Sequence, residues 1–65
     1  MNVIRVGRQF FSTETLLAIM REGLRLGAKR RTDSQLNIWY FTFDNPVSYN
    51  AFWTFVTSQQ RMELP

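Results

Sequence analysis

The sequence predicts a small α+β domain of order β-α-β-β-α, with an antiparallel-type sheet and both helices packed on one face. Three observations predict it. Val3-Ile4-Arg5-Val6 is a largely β-branched run closed by Gly7, Leu36–Phe43 is a second strand-like run, and two amphipathic segments opened by capping residues stand between and after them. The chain of 65 residues makes one domain, 1–65, and a domain of that size buries only about 60% of its unfolded surface on folding. Chains this short usually draw on disulfides, a metal or a partner subunit for stability. Cys and His are both absent, so disulfides are excluded and neither a transition metal nor another cofactor is expected. What remains is a dense aromatic core or self-association. Ten aromatic residues, six Phe, two Tyr and two Trp, can serve both, each burying roughly 150–250 Å².

The first strand falls within residues 3–11, with its register left open. Ser12 is a suitable N-cap and Glu14 lies in the first turn, where the helix dipole favours an anion, so a helix starts at Thr13. Its end has two readings. A long helix to Lys29 puts Leu16, Leu17, Met20 and Leu24 on one face and Arg21, Arg25 and Lys29 in a basic row, at the cost of two internal glycines, Gly23 and Gly27. A short helix ends near Glu22 with Gly23 as the left-handed cap, and the alternation in Leu24-Arg25-Leu26-Gly27-Ala28-Lys29-Arg30-Arg31 then reads as a half-buried strand. The second reading explains both the glycine and the alternation, and is favoured. Thr32-Asp33-Ser34-Gln35 makes the turn of a hairpin that returns through Leu36–Phe43.

Both faces of that returning strand, Leu36/Ile38/Tyr40/Thr42 and Asn37/Trp39/Phe41/Phe43, are largely apolar, which suits a central strand or one whose second face is covered. Asn45 caps the last helix, with Pro46 at its first position. That helix spans about Val47 to Arg61, with Tyr49, Phe52, Trp53 and Val56 on its apolar arc and Met62–Pro65 expected to fray. Trp39, Phe41, Phe43, Phe52 and Phe55 are the expected core.

Phe11-Ser12-Thr13, Leu16-Leu17-Ala18, Gly23-Leu24, Trp39-Tyr40-Phe41-Thr42-Phe43 and Phe52-Trp53 follow one another in an order that resembles a class of small uncharacterised bacterial and phage domains. Those domains have an aromatic–Thr strand end, an Ala/Leu-rich helix ending in Gly-hydrophobic, a Phe-x-Phe strand and an aromatic helix. The resemblance covers residues 10–57, with Glu14 as the acidic residue after the Thr. It implies the β-α-β-β-α order and no particular activity.

Charge and chemistry narrow the function. Eight Lys and Arg against five Asp and Glu give a net charge of +3, and all the cations but Lys29 are Arg, which binds phosphate or carboxylate bidentately. The segment 21–31 holds Arg21, Arg25, Lys29, Arg30 and Arg31, directly before the aromatic strand. Cations beside flat rings on a sheet are one way to grip nucleic acid. The expected contacts are Arg25, Lys29, Arg30 and Arg31 to phosphates and Tyr40 to a base. Leu36, Ile38 and Trp53 are candidate interface positions for a protein partner or a second copy, since homo-oligomerisation would bury the second face of the sheet. The alternative is a protein-interaction factor, such as a phage-type inhibitor or adaptor of a host protein. No catalytic residue stands out. The familiar nucleophile–base pairs need His or Cys, and Glu14, Glu22, Asp33, Asp44 and Glu63 are scattered. No enzyme activity is expected. The N-terminal segment lacks the apolar stretch of an export signal and no run approaches the roughly 20 apolar residues of a membrane span, so a cytoplasmic protein is expected.

Overall fold

A computed structural model describes residues 2–63. The elements are strand β1 (Val3–Gly7), a 3-10 turn (Arg8–Phe10), helix α1 (Thr13–Arg25), strand β2 (Lys29–Asp33), strand β3 (Ile38–Thr42) and helix α2 (Pro46–Glu63). The sheet order is β1-β3-β2, and β3 is antiparallel to both neighbours. The β-α-β-β-α domain read from the sequence is the observed fold. β3 is the central strand, as its two apolar faces require. No helix among the described residues is long and apolar enough to cross a membrane.

Both helices pack on the face of the sheet that carries Ile4, Val6, Trp39 and Phe41. These join Ile19, Ala28, Phe43, Phe52 and Val56 in one buried cluster, with Tyr49 and Phe55 half-buried against it. The centre is aromatic. The Phe41 and Phe52 ring centroids are 4.7 Å apart, Phe43 lies 5.2 Å from Phe52, and Trp39 meets Phe41 edge-on at 6.1 Å. Such pairs contribute about 0.5–1.5 kcal/mol each beyond the area they bury.

α1 starts as its cap dictates, with the Ser12 hydroxyl accepting from the Thr15 amide at 3.2 Å. Its end corrects the favoured sequence reading. The helix runs through Gly23 to Arg25, and Gly27, at φ +87°, is the left-handed residue. The Ala28 amide donates to the Gly23 carbonyl and the Gly27 amide to the Leu24 carbonyl, at 2.9 and 3.0 Å. This is the double bond pattern of a Schellman end. The left-handed cap expected at Gly23 thus belongs to Gly27. Gly23 stays inside the helix because it faces a ring: a Cβ there would lie 2.7 Å from Cδ2 and Cε2 of Phe41.

The hairpin forms, but its turn is displaced. β2 begins at Lys29 rather than Leu24 and extends through Thr32 and Asp33, while the turn is 34–37. Asp33 Oδ1 accepts from the Gln35 and Leu36 amides, both at 3.1 Å, and Asn37 takes φ +58°. Asp and Asn suit these two roles, one through its side-chain acceptor and the other through its tolerance of the left-handed region. α2 opens with the Asn45 carboxamide oxygen accepting from the Val47 amide at 2.7 Å, Pro46 leading the helix. α2 extends through Met62 and Glu63, past the Arg61 end read from sequence, and Leu64 and Pro65 lie outside the described residues.

The Gly23–Phe41 contact is tested by Gly23→Ala. Helix propensity alone favours Ala by about 1 kcal/mol, whereas overpacking a closed core costs about 1–3 kcal/mol. The Phe41 ring is fully buried with the Phe52 ring 4.7 Å away, so it has no room to retreat and the upper part of that cost, about 2–3 kcal/mol, applies. Set against the helix gain, the variant is expected to be less stable by about 1–2 kcal/mol, lowering the thermal midpoint by several degrees. An unchanged or raised midpoint would show that the ring yields.

Candidate nucleic-acid interface

Register turns the uncovered face of the sheet into a small grid. Its middle row is Arg5, Tyr40 and Arg31. On the side away from the hairpin turn lie Val3, Thr42 and Lys29, and at the hairpin end lie Gly7, Ile38 and Asp33. Burying Trp39 and Phe41 forces this arrangement, because alternate residues of a strand point to opposite faces.

Three cations therefore border one ring on the middle strand. The Arg31 guanidinium carbon stands 4.6 Å from the centroid of half-buried Tyr40, within the roughly 6 Å range of cation–π attraction. Arg5 and Lys29 are exposed. Among the described residues the only ion pair is Glu22–Arg25, so no carboxylate there neutralises Arg5, Lys29 or Arg31. The one acid on the face, Asp33, accepts from the turn amides. A second ring reaches the same face from outside the sheet. A Cβ on Gly7 would lie 2.7 Å from Cδ2 of Phe10, so the 67%-exposed Phe10 occupies the place that a side chain at residue 7 would fill, at the β1 edge of the Gly7–Ile38–Asp33 row.

The structure brings together Lys29, Arg31, Tyr40 and Ile38 of the residues expected from sequence, and separates the rest. Arg25 belongs to the last turn of α1, not to a strand. Its Nε and Nη2 donate to Glu22 Oε1 and Oε2, each at 2.8 Å. Chiefly through these hydrogen bonds, the Glu22 carboxyl is held below the usual carboxylate range and the Arg25 guanidinium is raised. Arg30 lies on the helix-covered face, in register with Phe41. Its guanidinium carbon stands 4.9 Å from the Trp39 ring, and that of Arg8 stands 5.3 Å from the same ring. These two side chains close the hairpin end of the core over Trp39 rather than serving the open face. Arg8 Nε, buried without a hydrogen-bond partner among the described residues, has the electron-rich indole beside it. Leu36 is exposed in the β2–β3 turn and Trp53 is exposed on α2, so Leu36, Ile38 and Trp53 do not form one surface.

Neither Arg5 nor Phe10 is among the contacts expected from the sequence. Arg5 had a signal, since it alternates with Ile4 and Val6 and so points away from the core. Phe10 had none, because a 3-10 turn carries no hydrophobic period. No family model matches the chain, and comparison with curated proteins and solved structures returns no significant match.

Proposed function

We propose that this domain is a non-catalytic nucleic-acid-binding module whose binding surface is the open face of its sheet. The observation that carries the reading is the register row Arg5–Tyr40–Arg31, with Lys29 one row away and no carboxylate paired to any of the three cations among the described residues. Phosphates need unpaired cations, and bases need a ring whose surroundings keep it in place. A regulatory role for so small a module follows from binding rather than from chemistry.

Fluorescence polarisation with short single- and double-stranded DNA and RNA tests this. Binding is expected at low salt, with a log–log salt slope of about −1.4 to −2.1 for two to three single-strand phosphate contacts. The pair Arg5→Ala/Arg31→Ala should abolish it, and Arg30→Ala, on the other face, should leave it nearly intact. An absence of binding at low salt, or equal loss from the Arg30 variant, contradicts the reading.

A groove beside β1 favours a second reading, the protein-interaction factor, with self-association as one form of it. Phe10 and Trp53, 67% and 54% exposed, line it together with Phe11 and Val56. On this reading a nuclease-resistant protein partner, or a concentration-dependent dimer in sedimentation velocity, is lost on Trp53→Ala while nucleic-acid binding persists. A Trp53→Ala variant with unchanged association excludes the groove.

A further inference from the structure

The open face carries more than charge. Its two rings differ in setting, and they belong to two positions on one cross-strand diagonal. Tyr40 sits on the middle strand under the Arg31 guanidinium, 4.6 Å from its centroid. Phe10 stands over Gly7, which is two residues along β1 from Arg5, the register partner of Tyr40. Positions on such a cross-strand diagonal are about 7–8 Å apart. Stacked bases rise only about 3.4 Å per nucleotide along one strand of a duplex. Two neighbouring bases can occupy both platforms only if they are unstacked from one another.

From this spacing we infer that the open face selects extended single-stranded nucleic acid, one base stacking on the Arg31–Tyr40 pair and an adjacent base on Phe10, with Arg5 and Lys29 holding the phosphates. The inference rests on the nucleic-acid reading above and assigns the strand class and the role of each residue within it. It divides the three cations by what they touch. Arg5 and Lys29 have no ring or carboxylate partner among the described residues, and their charge is available to phosphate. The Arg31 guanidinium already lies on Tyr40, and a flat delocalised cation is itself a surface on which a base stacks. A duplex offers this face little. Its bases show only their edges in the grooves, and the roughly 12 Å major groove admits a two-stranded ribbon rather than three strands backed by two helices. The recessed Tyr40 on the central strand is then out of reach of a paired base.

The test uses the whole chain and three labelled probes in polarisation titrations: oligothymidylate, its abasic sugar–phosphate analogue, and the oligothymidylate–oligoadenylate duplex. Oligothymidylate is expected to bind at least about tenfold more tightly than either of the others, at the low end of what one to two stacked bases supply. Phe10→Ala and Arg31→Lys should each weaken oligothymidylate binding about tenfold without changing the salt slope, and should leave the abasic probe unaffected. Lys29→Ala should instead reduce the slope by about 0.7, the increment of one single-strand phosphate contact. Equal affinity for all three probes, or an Arg31→Lys variant that binds like the parent, would overturn the inference while leaving a charge-only nucleic-acid interface standing. If no probe binds at low salt, the underlying nucleic-acid reading fails as well. The abasic comparison uses the unaltered protein, so it decides the matter even if a variant does not fold.

Discussion

The contact between Gly23 and the Phe41 ring is the constraint on which the rest of the molecule depends. Phe41 is fully buried at the middle of the central strand, with Phe52 of α2 on its ring at 4.7 Å and the backbone of α1 at Gly23 closing over it. Any side chain at residue 23 would push α1 away from the sheet, and with it the Ile19 side chain and the helix end that leads into β2. A glycine inside a helix is unfavourable by about 1 kcal/mol. Here that loss is offset by close packing of a large ring, in a domain with little other core to draw on.

The open face follows from the same contact. Once Phe41 and Trp39 are committed to the helices, Ile38, Tyr40 and Thr42 must point the other way. The ladders then carry this parity outward to Arg5 on β1 and to Lys29 and Arg31 on β2. The cations could not take the covered positions without heavy desolvation. Arg30, whose parity puts it on the covered side, lies at the edge of the sheet with its guanidinium over Trp39. Packing thus selects which of the basic residues share a surface. The run Lys29-Arg30-Arg31 on an edge strand also disfavours pairing with a second copy through β2, since like charges would meet across the new ladder. Stacking two open faces would likewise bring their cations together. A groove at β1, lined by Phe10 and Trp53, avoids both problems.

Much of this was legible in the sequence because it is local. Ser12 and Asn45-Pro46 announce helix starts through their own side chains or ring, and the strand period divides Ile38–Phe43 into the two faces of β3, both largely apolar. Gly23 and Gly27 could not be told apart locally, since each can end a helix and the residues between them fit helix or strand. What separates them is a ring arriving from β3, well over ten residues away in sequence, and no window centred on the glycines contains it. Arg25 changes element with that one assignment, lying on α1 when the helix continues through Gly23 and on a strand when it stops there. Arg30 was separated from Arg31 only by the parity of a strand, which the basic run alone does not show. Phe10 reaches the face through a short turn with no periodic signal, and its position became visible only from the space above Gly7.

The proposed nucleic-acid interface is the face of the sheet that core packing leaves open. It is tested most directly by methyl NMR of isoleucine-labelled protein titrated with oligothymidylate. The three isoleucines report separately: Ile4 and Ile19 are buried under the helices, while Ile38 lies on the open face beside Tyr40. The Ile38 methyl is expected to shift progressively with ligand while Ile4 and Ile19 stay in place. Shifts at Ile4 or Ile19 with Ile38 unmoved would contradict it.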